Sequence, residues 1–220
     1  MTVKIIEELK KRGFKVASIK HSHHMLEMDR ENTDTWKHKE AGSETVVGIG
    51  ERTFFNIDKD LPLERLLFLI KLIDEPDFLV IEGFKNYSYA KISTSSELQD
   101  EFTLKTIDAL NINDDEIPEL VDIIEKHSYD ILDTLYAKNC GLGDGKTIGK
   151  SLVNQEIAIE DIDNIDVYLS INEKVIGLNH FVSNLIKNNI IGILKSLKTE
   201  EYGIKDFEKI EFVINNGEEK

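Results

Sequence analysis

The sequence predicts an α/β protein: a mostly parallel sheet in its first part and a smaller α+β module after it. Three observations carry this reading. First, stripes of apolar residues at helical spacing alternate with short β-branched runs, as in Thr2–Arg12 then Phe14–Ile19, and Pro62–Ile73 then Asp77–Glu82. That alternation is the signature of parallel strands joined by crossover helices. Second, titratable residues crowd just past the first of these strands, where α/β proteins build their sites. Third, charge is uneven: residues 1–100 carry 15 Lys/Arg against 18 Asp/Glu, and residues 101–220 carry 12 against 24. The chain therefore reads as two units, 1–127 and 128–220.

Composition narrows the function. The 220 residues are 40% hydrophobic and 31% charged, with a net charge of -15. This describes a soluble globular protein with a proper core. The acidic balance repels phosphate backbones, so nucleic acid is not an expected partner. The single cysteine, Cys140, excludes internal disulfides and fits a reducing, cytoplasmic setting. Met1–Arg12 is amphipathic rather than a signal sequence. No run approaches the roughly 20 apolar residues of a membrane helix, so no membrane association is expected.

Taken in order, Val3, Ile6 and Leu9 make the stripe of the first helix, which Gly13 stops. Phe14–Ile19 reads as a buried strand. A short helix spans Thr35–Ala41 and ends near Gly42. Glu44–Gly50 and Arg52–Ile57 read as strands, the first of them buried. The helix from Pro62 presents Leu63, Leu66, Leu67, Ile70 and Ile73 to the core. Asp77–Glu82 is a strand, Ala90–Ser93 and Glu101–Thr106 are shorter ones, and 116–127 is a helix closing the first unit. In the second unit, short helices surround Leu132 and Leu152, and a hairpin turns at Asn172-Glu173. Asn179 caps a long helix over His180–Lys198, whose stripe begins at Phe181, Leu185 and Ile186. Ile210–Ile214 reads as a terminal strand.

Two stretches carry chemistry. Lys20–Ser43 packs Lys20, His21, His23, His24, Asp29, Asp34, Lys37, His38 and Glu40 into a window without helix or strand periodicity. The second is Asp77–Lys85, D-F-L-V-I-E-G-F-K. An acid ending a buried strand, Glu82, is placed to hold magnesium in a nucleotide site. Gly83 after it lets backbone approach a phosphate closely. The His residues with Asp29 or Asp34 are a second, less favoured metal set.

Together, K-H-x-H-H, then D-x-W-K-H-K-E-A-G, then D-x-x-x-x-E-G-F-K with a downstream K-I, resemble the MobB family of molybdopterin-guanine dinucleotide biosynthesis proteins. The resemblance covers roughly Ile5 to His127. It implies a P-loop NTPase-like fold that binds GTP with Mg2+. It also implies a homodimer that assists a molybdopterin guanylyltransferase or another molybdoenzyme maturation protein, with at most weak GTPase activity of its own. By that likeness Lys20, His21, Asp34, Lys37, His38, Gly83 and Lys85 bind the cofactor. Glu82 is the catalytic residue and magnesium ligand.

The family opens with a strand and a glycine-rich phosphate loop ahead of the helix that here begins at Thr2. In this chain that loop is expected to be missing, either because the start is placed too late or because the protein is a decayed, non-hydrolysing homologue that binds a partner or a pterin. Loss of several charge-assisted hydrogen bonds, each worth about 1.5–3 kcal/mol, would weaken GTP binding severely. The late Gly141–Thr147 run is read as a chance lookalike, since its first glycine falls one residue out of place. The second unit resembles a four-cysteine iron–sulfur module. Cys140 keeps the first ligand, while Gly143, Ile148 and a residue near Ile162 stand at the other three positions. One thiolate cannot hold a cluster, so none is expected.

Overall fold

The computed structural model describes residues 1–22, 24, 29–137, 143–162 and 166–215. Its centre is a parallel pair, β1 (Val16–Lys20) beside β4 (Phe78–Glu82). Parallel strands need cover on both faces, and the alternation of side chains supplies it. Val16, Phe78 and Val80 face one way, against α1 (Thr2–Lys11) and α4 (Ile117–His127), where Ile5, Leu9, Ile117, Leu120 and Val121 are buried. Ile19, Leu79 and Ile81 face the other way, against Leu63 and Leu67 of α3 (Leu63–Ile73) and Leu132 of α5 (Ile131–Ala137).

The local signals explain the element ends. Gly13 takes φ +93, and the amides of Gly13 and Phe14 return to the carbonyls of Lys10 and Leu9 at 3.0 and 3.2 Å. This is the paired closure that a left-handed residue permits. α2 (Asp34–Glu40) starts where Thr33 accepts the Trp36 amide. β5 (Lys91–Ser93) and β6 (Thr103–Thr106) form a second parallel pair. The α/β class with parallel strands is therefore as expected.

The second part packs onto the first. α6 (Gly145–Val153) buries Ile148 and Leu152 with Ile162. Ile148 and Ile162, placed by sequence where cluster ligands would stand, are thus core residues, while Cys140 lies outside the described residues. β7 (Leu169–Ile171) and β8 (Lys174–Ile176) form the expected hairpin. Asn172 and Glu173 both adopt positive φ, 49 and 66, which matches the right-handed twist of the strands they join. α7 (His180–Leu194) is capped by Asn179, which accepts the Val182 amide at 2.9 Å.

Several expectations need correction. Val3 and Ile73, expected on the core stripes of α1 and α3, are exposed, and α1 buries Ile5 and Leu9 instead. The strand expected to be buried at Glu44–Gly50 is β2 (Thr45–Ile49), paired antiparallel with β3 (Thr53–Ile57). α2 contacts β2, and Val47, Ile49, Phe55 and Ile57 are exposed. The stripe expected on the last helix is turned. Phe181, Leu185 and Ile193 are exposed, and Val182, Ser183 and Ile186 face inward. A helix apolar on several sides gives no unique face to periodicity. Ile210–Ile214 forms no strand. Lys209 Nζ binds the carbonyls of Lys71 and Leu72 at 3.1 and 2.8 Å and Glu75 at 2.8 Å. The segment is thereby tied to a helix end rather than laid beside a strand.

Leu9 is fully buried at 0% exposure, between α4 and the strand pair. Leu9→Ala is expected to cost about 2–5 kcal/mol of unfolding free energy, read as a lower urea midpoint at unchanged slope.

Candidate functional site

The register of β1 on β4 sets Lys20 opposite Glu82. Both side chains follow Val16, Ser18 and Phe78, Val80 in the period-two alternation, so they emerge on the side of α1. Lys20 Nζ pairs with Glu82 Oε1. The His21 amide donates to the Glu82 carbonyl at 2.8 Å. Glu82 is thus held below the usual carboxylate range. The Lys20 hydrogen bond is the main cause, partial burial opposes it, and the Thr2 hydroxyl adds to it. The first turn of α1 therefore stands over the carboxyl end of the strand pair.

Gly83 follows at φ +111, where a Cβ would lie 2.8 Å from His21 Cβ and 2.9 Å from the His21 carbonyl oxygen. Only glycine fits this turn without strain. Phe84, at φ 50, stacks on His21 with ring centroids 4.3 Å apart. Lys85 is exposed, and its carbonyl accepts Lys91 Nζ at 3.2 Å. Lys91 also binds the Tyr87 carbonyl at 2.7 Å and Asp100 at 2.8 Å, fixing the loop.

The residues expected from Lys20–Ser43 divide. Lys20 and His21 are at the site. Asp34, Lys37 and His38 lie exposed on α2, with Asp34 and Lys37 paired at 3.4 Å. α2 is tied to the β2–β3 hairpin by Lys39 Nζ and Asn56 Oδ1 at 3.1 Å. Among the described residues, no hydrogen bond or ion pair joins Asp34, Lys37 or His38 to Glu82. Asp29 organises the start of α2. Its Oδ1 accepts the Arg30 amide at 2.8 Å and the hydroxyls of Thr33 and Thr35 at 3.1 Å. Burial would push Asp29 up, but the bonds from Thr35, Arg30 and Thr33 and the Lys39 charge hold it below its usual range. His23 lies outside the described residues, and His24 is exposed.

Among the described residues, no group of three or more His, Cys, Asp or Glu gathers to hold a metal ion. A single carboxylate still suits magnesium that arrives with phosphate and water ligands. Glu82, which already accepts from Lys20 and Thr2, would share its carboxylate with such an ion. Sequence reasoning missed Thr2 as a partner of Glu82, and it missed the ring series of Phe84, Tyr87 and Tyr89. The aromatic spacing in F-K-N-Y-S-Y after Gly83 was the signal for the latter.

These features define an α/β protein with its candidate site at the carboxyl ends of paired parallel strands. Residues 1–112 match the family described as Molybdopterin guanine dinucleotide synthesis protein B, and the chain belongs to this MobB family. A Methanocaldococcus jannaschii protein, provisionally named as a molybdopterin-guanine dinucleotide biosynthesis adapter protein, is 29% identical over 208 residues, covering 90% of this chain and 86% of its own. The Haemophilus influenzae molybdopterin-guanine dinucleotide biosynthesis adapter protein is 30% identical over 138 residues, covering 56% and 78%. The crystal structure of Bacillus subtilis MobB is similar at TM-score 0.41 and 22% identity, over 56% of this chain and 85% of that one.

Because Glu82 titrates lower in the folded state than its ordinary value of 4.5, its pairing stabilises the fold above that value. That contribution is lost as pH falls through the lowered one. In Glu82→Gln this part of the acid limb should disappear from a thermal melting series run from neutral to acidic pH.

Proposed function

We propose that this chain serves molybdenum or tungsten cofactor maturation as an adapter. It holds a guanine nucleotide with its magnesium at the Lys20–Glu82 end of β1 and β4. It presents that nucleotide to a molybdopterin guanylyltransferase or a related molybdoenzyme maturation protein. The observation that carries this reading is the Lys20–Glu82 pair beneath the first turn of α1, in a chain of this family. Lys20 and Lys85 supply positive charge for phosphates. His21 and Gly83 shape the backbone that approaches them. Asp34, Lys37 and His38 on α2 form the face turned to the nucleotide's cofactor partner. Residues 1–127 are the nucleotide-site unit and 128–220 the appended module.

Glu82 is ion-paired and titrates low, so it carries charge well at neutral pH but makes a poor general base. This supports an accessory role with at most slow GTP turnover. It equally favours the second reading, a homologue that holds a partner or a pterin and does not hydrolyse GTP. A calorimetric titration with Mg-GTP decides between them. Binding detectable below millimolar nucleotide that weakens about tenfold or more in Lys20→Ala, the loss of one charge-assisted hydrogen bond, is the expected result. Absence of binding up to millimolar nucleotide would leave the second reading.

A homodimer belongs to this proposal. A two-stranded sheet is marginal alone, and the β2–β3 face of Val47, Ile49, Phe55 and Ile57 is uncovered. Two copies meeting about a twofold axis would bury the same four side chains from each. Phe55→Lys should shift sedimentation from dimer towards monomer.

A further inference from the structure

A cleft of about 470 Å³ opens between the loop after Gly83 and the start of α6, lined among others by Glu64, Asn86, Tyr87, Ser88, Tyr89 and Lys146. Its size is that of a small-molecule site. Three successive ring contacts connect it to the Lys20–Glu82 end: His21 on Phe84 at 4.3 Å, Phe84 on Tyr87 at 5.0 Å, and Tyr87 beside Tyr89 at 5.7 Å. The cleft therefore shares a wall with the nucleotide-site turn.

The polar groups of the cleft are specific. Glu64, in the first turn of α3, accepts the Tyr89 hydroxyl at Oε1, 3.3 Å away. Among the described residues its Oε2 has no hydrogen-bond or ion-pair partner, nor do the side chains of Asn86 and Ser88. Burial and then the Glu64 charge push the Tyr89 phenol up, so it stays a donor at neutral pH and fixes the carboxylate. Tyr129 closes the far side of the loop, its hydroxyl accepting the Ala90 amide at 3.1 Å. The loop itself is held by Lys91, as described above. A carboxylate with an open oxygen, aromatic faces beside it and two uncommitted polar side chains make a recognition surface for a flat, donor-edged ring.

We propose that this cleft binds a fused heterocycle bearing a 2-amino-4-oxopyrimidine edge, with Glu64 accepting its ring N–H and amino group and Tyr87 stacking on its face. Guanine and pterin share that edge, and adenine lacks it. The proposal rests on the cofactor-maturation reading above and deepens it. It places the heterocycle at Glu64 and Tyr87, away from the phosphate end at Glu82. Lys146, at the rim and shared with Glu101 at 3.4 Å, is available to a phosphate ester on the same ligand.

The test titrates the full chain with Mg-GTP, with 6-hydroxymethylpterin and with Mg-ATP, following heat and, for the pterin, fluorescence quenching. The variants are Glu64→Gln, which keeps size but cannot accept both donors; Tyr87→Leu, which removes the stacking face; and Glu82→Gln. Circular dichroism of each variant checks that it is folded. The expected result is binding of GTP, the pterin or both in preference to ATP, weakened about tenfold or more by Glu64→Gln and, for the pterin, with quenching lost in Tyr87→Leu. The arm that responds, nucleotide or free pterin, identifies the source of the ring. Binding that depends on Glu82 but is unchanged in Glu64→Gln would overturn this proposal and leave the phosphate-end reading standing. Binding that depends on Glu64 but not on Glu82 would uphold it and remove the phosphate-end reading. Failure of the wild-type chain to bind either ring up to millimolar concentration would overturn it outright, while the adapter role would still be open to pull-down with a guanylyltransferase.

Discussion

The register between two parallel strands is the constraint on which the rest depends. Side chains alternate faces along a strand, so a slip of one residue would exchange the sides on which Val16, Phe78 and Val80 meet one helix layer and Ile19, Leu79 and Ile81 the other. Apolar residues lie on both faces, and hydrophobicity alone discriminates weakly between registers. The ends supply the rest. Lys20 against Glu82 closes one end, and the Phe78 amide on the Lys15 carbonyl at 3.1 Å, with Asp77 on the Lys15 amide at 2.7 Å, closes the other. The ion pair at the candidate site is thus also a register lock.

Helix α1 is placed with comparable care. Arg12 reaches four groups: Glu8 at 3.1 Å, Asp122 and Glu125 at 2.6 Å, and the Pro118 carbonyl at 2.9 Å. These hold the end of α1 to α4 while Ile5 and Leu9 are buried between them. With its far end and its inner face both fixed, the first turn has little freedom, and Thr2 is brought to Glu82. A positional requirement at the site is met by residues a helix length away from it.

The sequence was most legible where local chemistry decides. Gly13, Thr33 and Asn179 mark helix ends by their own backbone or capping behaviour, and the Asn172-Glu173 turn marks the second hairpin. That Lys20, His21, Glu82 and Gly83 meet could be anticipated because they sit at strand ends recognisable from a few adjacent residues. Legibility failed where tertiary contacts decide. β2, exposed on its Val47 and Ile49 face while Val46 is buried, reads like a fully buried strand because its β-branched residues carry no information about what covers them. α7 offers apolar residues on several sides, and only the packing of Val182 and Ile186 selects one. Asp34, Lys37 and His38 belong to the same stretch as Lys20 and His21, yet α2 rests on the β2–β3 hairpin, a contact the stretch alone does not give. Thr2 reaches Glu82, and Glu64 reaches Tyr89, from elsewhere in the chain, and no local pattern announces such meetings.

The core cluster of Leu63, Leu67, Leu132 and Leu178 has a bearing on how this chain can change over generations. Two of these residues come from α3 and two from beyond residue 127, and Lys71 adds a bond to Asp130 at 2.6 Å across the same boundary. A gene split at that boundary would turn one side of α3 into apolar surface. The chain beyond residue 127 is therefore part of the scaffold on which Glu64 stands. A lineage could shed it only after α3 had acquired a polar outer face.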